Sequence, residues 1–351
     1  MNGTLTSDSP FRSYFSHAYQ SFERACAVSV HEHHIQMGGE TWRLRFAGSN
    51  FVQAYLPALA HLAHPTMSDR SPALTVCLWE YDETGEAPEH PFWKWQRQLV
   101  QSNHSSFEDG QFLAAAVHTS LYIFVDKTAG LALIWLPNLN MLPMSDRAAP
   151  LRDLIELWFK PTPKLRMHAG AIGTSEGCGL LVGKGGSGKS TTALTCLLAG
   201  LNYLGDDYIL VDTECCQVHS LYNTAKLVPD NLFRLPALGA YVSNQATMAE
   251  DKAILFLHDI YPEQLAVESP LHVILIPVVT GRVESEIIPA PAVAAFRALA
   301  PSTMLQATDA SQEDLAKLAR MVKSVPTYYL HAGTALDRIP PLIKKAISQH
   351  D

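Results

Sequence analysis

The sequence predicts an α/β C-terminal domain behind an α+β N-terminal one, on three observations. Strand-like and helix-like stretches alternate from about residue 151 onward, a glycine-rich turn joins one such pair, and strand-like runs dominate residues 25–135. A chain of 351 residues exceeds what one small core needs, and 47% hydrophobic against 17% charged residues is enough apolar material for two cores. A division at 1–150 and 151–351 is therefore expected.

Taken in order, residues 1–20 are polar and aperiodic, and read as a frayed arm or a short helix. Strand character follows at 26–30, 41–46, 73–81, 121–125 and 131–136, with turn signals at Gly38-Gly39 and at Lys127-Thr128-Ala129-Gly130. The apolar stretch 51–62 looks helical. Residues 137–150 are rich in Pro, Asn and Asp and mark the boundary. An amphipathic helix at 151–159 comes next, stopped by Pro161 and Pro163. Two side features stand apart. His31 and His33 share one side of a strand but lack a third metal ligand, and the aromatic run Phe92-Trp93-Lys94-Trp95 suits either packing or a grip on a peptide or a base.

A formal charge of −8 and a pI near 6.0 repel nucleic acid and anionic membrane, so neither is an expected partner. No run of about eighteen apolar residues occurs, and the N-terminus lacks a basic stretch followed by an apolar one, so a cytoplasmic protein is expected. The six cysteines, Cys26, Cys77, Cys178, Cys196, Cys215 and Cys216, have no CxxC spacing and read as reduced structural thiols.

The densest chemistry lies where the short apolar strand Gly179-Leu180-Leu181-Val182 runs into GKGGSGKS and then into TTALTCLLAGL. This is a complete GxxxxGK[ST] loop between a strand and a helix. Gly183, Gly185, Gly186 and Gly188 leave room for backbone N–H groups to surround a phosphate, with Lys184 and Ser187 filling the rest of the loop. The helix N-terminus reinforces the anion site. Lys189 is the charge that reaches the β- and γ-phosphates, Ser190 offers a hydroxyl to Mg²⁺, and Thr191 adjoins it. A strand at Asn202-Tyr203-Leu204 then leads into Gly205-Asp206-Asp207, with Asp206 only 17 residues after Lys189. No NKxD-like guanine reader is present, which disfavours a GTPase. Two adjacent carboxylates suit phosphoryl transfer, where one contacts Mg²⁺ and the other accepts the proton of a hydroxyl, although an exposed acidic turn would share the spacing.

The stretch MHAGAIGTSEGCGLLVGKGGSGKSTTALTCLLAGLNYLGDDYIL, about an eighth of the chain, resembles the catalytic core of HPr kinase/phosphorylase, a family related to phosphoenolpyruvate carboxykinase. The features that carry the likeness are His168 upstream of the loop, the loop itself and the Asp pair. A weaker likeness continues through Lys226-Leu227 to Arg234. The resemblance implies an ATP- and Mg²⁺-dependent kinase of that fold, with His168, Lys189, Asp206, Asp207, Lys226 and Arg234 around the reacting phosphate. One Asp is then the base toward a Ser hydroxyl. Asp207 is expected nearest the reacting groups with Asp206 in support, and Ser190 and Asp207 are the expected metal-side residues. The family also hints at a homo-oligomer.

The N-terminal 150 residues do not match that family's N-terminal domain, and its signature for docking HPr is missing. The whole-chain pattern is closer to HPr-kinase-related enzymes of bacterial peptide-modification clusters, including those that phosphorylate a Ser of lasso peptides. The expected acceptor is a hydroxyl, first of a Ser on a peptide or protein, and otherwise of a small molecule such as free serine. A non-catalytic ATP-binding switch is the competing reading.

Overall fold

The computed structural model describes residues 10–63, 71–88, 104–108, 111–117, 121–248, 252–307 and 310–349. The aromatic run at 92–95 lies outside them. The chain is mixed α/β and divides into two compact units, Met1–Gln36, Glu40–Leu56 and Ala63–Arg147 against Met37–Gly39, Pro57–Leu62 and Ala148–Asp351.

In the first unit, helix α1 (Pro10–Ala25) buries Phe15, Ala18, Phe22 and Ala25, one stripe at helical spacing. The strand expected at 26–30 is instead mostly the turn that follows this helix. Cys26 N–H donates to Phe22 O at 3.0 Å, a turn follows, and strand β1 (Val30–Met37) begins only at the last residue of that apolar run. After Gly38-Gly39 come β2 (Glu40–Ala47), helix α2 (Asn50–Leu59), β3 (Leu74–Glu80), β4 (His104–Glu108), β5 (Phe112–Val117), β6 (Leu121–Asp126) and β7 (Leu131–Leu136). They form one sheet in the order β1-β2-β3-β7-β6-β5-β4. The pairs β2–β3 and β3–β7 are parallel, while β4 to β7 run as an antiparallel meander. Phe22 meets Trp79 edge-on at 5.6 Å inside this unit's core.

The second unit opens with α3 (Arg152–Phe159), β8 (Lys164–Met167), β9 (Gly170–Gly173), β10 (Cys178–Leu181), α4 (Lys189–Leu198), β11 (Asn202–Gly205), β12 (Ile209–Asp212) and β13 (Gln217–Ser220). The hairpin β14 (Thr224–Leu227) and β15 (Ala253–Phe256) comes next. Then follow β16 (Glu268–Val279), β17 (Glu286–Pro289), α5 (Ala292–Leu305), α6 (Gln312–Ser324), β18 (Thr327–Ala332) and α7 (Ile339–Ser348). Nine of these strands make one sheet, β11-β9-β10-β16-β13-β12-β8, with β18 on β16 and β17 on β18.

Both faces of this sheet are covered, and the strands show it residue by residue. Along β16, Val273 and Leu275 enter the core shared with α4 and α7, while Ile274 and Ile276 enter the core shared with α5 and α6. β10 does the same with Leu181 on one side and Cys178 and Leu180 on the other. A period of two with both phases apolar is what a twice-buried sheet requires. The consequence for function is that β10 is hydrogen-bonded to its parallel neighbour β16 and covered on both faces, and the loop leaves from the end of that pair.

Candidate active site

The loop begins where Val182 N–H still bonds Leu275 O at 2.9 Å, so its first residue is anchored to the sheet. Gly183 then turns at φ +149°, and a Cβ there would meet Ser187 Oγ at 2.8 Å. Gly188 stands at φ +99° immediately before α4 and lets the backbone enter the helix from the left-handed side. Lys189 is buried, and its Nζ donates to Gly183 O at 2.7 Å and Lys184 O at 3.3 Å, which fixes the ammonium across the mouth of the loop. Burial holds this ammonium below its ordinary pKa, against the pull of Asp206 and Asp207. Ser187 Oγ is buried with no hydrogen-bond partner among the described residues.

Beyond Lys189, the first turn of α4 faces the end of β11. Ser190 Oγ donates to Asp206 Oδ1 at 3.1 Å, and the Lys226 backbone N–H reaches Asp206 Oδ2 at 3.4 Å. Asp206 is 3% exposed. Burial, and then the neighbouring Asp207 charge, push its carboxyl up to about 6. Asp207 turns the other way at φ +75°, a left-handed conformation that Asp tolerates better than most residues. Its Oδ2 lies 3.3 Å from Lys226 Nζ and its Oδ1 3.9 Å from His168 Nε2. Burial alone would raise Asp207, but the charges of Lys226 and then Lys252 hold it below the ordinary carboxylate value. The backbone twist therefore sends two adjacent carboxylates into different surroundings.

His168 sits between β8 and β9, with its Nδ1 3.0 Å from Gln306 Oε1. Burial lowers its pKa despite the nearby Asp207, so the ring is neutral at pH 7. With Nδ1–H donating to Gln306, Nε2 carries the free lone pair and faces Asp207. Gln306 is itself held, since Arg166 donates to its backbone carbonyl at 2.7 Å and pairs with Glu156. Tyr208 gathers the cations around this corner: Arg166 lies 5.1 Å from its ring centroid, Arg152 and Lys226 lie 5.6 Å from it, and the His168 ring meets it edge-on.

Of the residues expected from sequence, His168, Lys189, Ser190, Asp206, Asp207 and Lys226 come together, with Gly183, Lys184, Gly185, Gly186, Ser187, Gly188 and Thr191 in the loop and first helical turn. Two expectations meet a different geometry. Ser190 faces Asp206 rather than Asp207. Arg234 is exposed beyond the short helix Pro229–Leu232, and among the described residues the acid pair's partners are Ser190, Lys226 and His168 instead. Tyr208, Lys252 and Gln306 were missed. Tyr208 adjoins the acid pair and could have been flagged, whereas Lys252 and Gln306 carry no local signal.

Hard oxygen donors suit Mg²⁺, and Ser190 Oγ beside Asp206 Oδ1 supplies two at one point. The raised carboxyl of Asp206 is that of a buried anion short of positive charge, which a divalent cation would provide. Among the described residues no cluster of three or more His, Cys, Asp or Glu is present, so a cation here would complete its shell with phosphate oxygens and water. Among the described residues no helix is long and apolar enough to cross a membrane.

No protein-family model matches the chain, and no curated protein matches it. Among solved structures it resembles the HPr(Ser) kinase/phosphatase from Coxiella burnetii at 12% identity, over 53% of this chain and 95% of that one, with a TM-score of 0.28. That likeness is too slight to carry a function, which rests on the geometry of the site.

Proposed function

We propose that this protein is an ATP-dependent phosphotransferase that moves the γ-phosphate onto a hydroxyl, in the first instance a Ser hydroxyl of a peptide or protein. The observation that supports this most is the division between the two carboxylates: Asp206 lies on Ser190 at the start of α4, and Asp207 lies on Lys226 and His168. A nucleotide-binding switch has use for the first arrangement and none for the second.

In this reading the loop N–H groups and Lys189 hold the β- and γ-phosphates, while Ser190 and Asp206 hold Mg²⁺. The cation, when bound, neutralises charge on the phosphate oxygens. Asp207 accepts the proton of the acceptor hydroxyl as its oxygen bonds to the γ-phosphorus and the bond to the β–γ bridging oxygen breaks. A phosphoester and ADP are the products. Lys226 keeps Asp207 ionised beforehand and close to the transferring group, and His168 with its free Nε2 lies in reach to share the proton taken up. A hydroxyl is a poor nucleophile at neutral pH, so a positioned base contributes roughly 10²–10⁴-fold.

The test is to make Asp206→Asn and Asp207→Asn separately and measure ATP affinity, Mg²⁺ dependence and phosphate transfer to peptide pools and to free serine. Asp207→Asn should bind ATP like the parent and lose transfer by that factor. Asp206→Asn should need more Mg²⁺. Parental transfer in both variants would remove the phosphotransferase reading and leave the switch.

A further inference from the structure

Lys252 is exposed, one residue ahead of β15, and the strand register brings it to the acid pair. In the β14–β15 hairpin Lys226 lies opposite Ile254 and Leu227 opposite Ala253. Side chains alternate along each strand, so Lys226 and Ile254 share one face while Ala225, Leu227 and Leu255 enter the core on the other. Lys252, two residues before Ile254, falls on the face of Lys226 and diagonal to it, at a separation of about 7–8 Å that long side chains span. On that face Lys226 Nζ lies 3.3 Å from Asp207 Oδ2. The backbone that carries Lys252 is clamped. Buried Asn244 donates from Nδ2 to Lys252 O at 2.9 Å and accepts the Ile254 N–H on Oδ1 at 2.8 Å, bracketing Ala253. The positive charge reaches the whole centre, bearing on His168, Lys189, Asp206 and Asp207 alike.

We propose that Lys252 is a further catalytic residue, its ammonium hydrogen-bonding the equatorial oxygens of the γ-phosphoryl group as it passes to the acceptor, a proposal that rests on the phosphotransferase reading and deepens it. In a loose transition state the transferring group spreads its charge over those oxygens. Asp207, the anion beside the path, repels them. Lys189 is fixed on the loop carbonyls and Lys226 is buried against Asp207, so neither follows the phosphoryl group across. An exposed lysine on a clamped backbone joins a flexible four-carbon stem to a fixed root, which suits a cation that stays with a moving group. No bond to Lys252 forms or breaks. The acceptor oxygen bonds to phosphorus, the bridging oxygen leaves with ADP, and the acceptor proton goes to Asp207.

The test measures binding of MgADP to the full chain with and without aluminium fluoride, a mimic of the phosphoryl group in transfer, so no acceptor has to be known. Aluminium fluoride should tighten MgADP binding to the parent. Lys252→Met should bind MgADP alone within about twofold of the parent and lose roughly 10²–10³-fold of that gain, the range one preorganised donor to a transition-state oxyanion supplies, while Lys252→Arg recovers most of it. Measured at about pH 8, where Lys226 still keeps Asp207 ionised in the variant, the loss reports on the phosphoryl group and not on the base. A parental gain in Lys252→Met overturns the proposal. So does an equal loss of affinity with and without aluminium fluoride, which makes Lys252 a residue of ground-state binding. If the parent binds MgADP and gains nothing from aluminium fluoride, the phosphotransferase reading fails and takes this proposal with it. Lys252 is exposed, so both variants should melt with the parent, and Lys252→Arg decides the matter where Lys252→Met does not fold.

Discussion

Lys226 is the residue on which the two carboxylates depend in different ways: its backbone N–H serves Asp206 and its ammonium serves Asp207. A substitution of the side chain keeps the first and removes the second. In Lys226→Met the buried Asp207 loses its nearest cation and keeps Lys252, so its carboxyl rises. A base works only when deprotonated. The acidic limb of the rate profile should therefore move to higher pH, with transfer at pH 7 reduced by up to about 100-fold, no more than the lower end of what a general base contributes. An unmoved limb, with only the rate lowered, would mean that Lys226 acts on phosphate and leaves Asp207 alone. The sequence offered Lys226 through resemblance only, and nothing local could reveal that one residue touches both acids, because β14 meets the end of β11 through tertiary structure.

The strand β10, the loop and α4 form the element in which sequence and structure lie closest, since the glycine spacing, the Lys and the hydroxyl are all set within one local stretch. Gly188 is its hinge. At φ +99° an Ala costs roughly 1–2 kcal/mol and turns the loop N–H groups away from a phosphate, so Gly188→Ala should lose nucleotide affinity more steeply than it loses melting temperature. The helix α6 offers the opposite case. Ser311 caps it reciprocally with Asp314, and Ser311→Ala should cost about 1 kcal/mol of stability by denaturant titration while nucleotide affinity is kept. Equal losses of affinity and stability at both positions would deny the loop its special role. Elsewhere the elements read less well. The run at 26–30 has strand composition, yet the N–H groups of Cys26, Ala27 and Val28 bond back onto the last turn of α1, which the buried Phe22 and Ala25 hold in place. Periodicity also could not foresee the hydrogen bond between Gln306 and His168, which joins positions 138 residues apart.

At the scale of the molecule, the second unit is built partly from residues far upstream of its main stretch, and these carry its buried polar bonds. Asn223 is fully buried and bonds Pro57 O at 2.7 Å and Ala58 O at 3.0 Å through its side chain, with its backbone N–H also on Ala58 O. A fragment starting at residue 148, the end of the apparent linker, lacks Pro57–Leu62 and leaves these donors unpaired. At about 1–3 kcal/mol for each buried group left unpaired, the loss takes a large share of a domain's stability of about 5–15 kcal/mol, so that fragment should be insoluble or melt without cooperativity. A soluble fragment with parental melting would refute this. Segment 51–62 looked like one helix in the sequence, and no pattern along it signals that its second half belongs to another unit.

His61, in that same segment, gives the second unit a pH dependence whose sign can be worked out. Its Nε2 lies 2.7 Å from Ser220 Oγ, and its Nδ1 is shielded from water with no hydrogen-bond partner among the described residues. Burial, with a smaller contribution from the neighbouring His258, pushes its pKa down from 6.5 to about 3. Above pH 6.5 the ring is neutral whether the chain is folded or not, and it contributes nothing to the pH dependence. Below that value the unfolded chain takes up a proton that the folded chain refuses, so stability falls steadily as pH drops toward 3. Between about pH 6.5 and 5 the loss amounts to roughly 2 kcal/mol at 1.36 kcal/mol per unit. His61→Gln keeps a polar partner for Ser220 and removes the titration. Denaturant titrations of parent and variant at pH 7 and pH 5 should show the parent losing roughly 2 kcal/mol more than the variant over that interval. Parallel curves would mean that the folded protein accommodates the imidazolium, by opening this corner to water or by moving His258 away, and the Pro57–Leu62 segment would then be held less firmly than its hydrogen bonds imply.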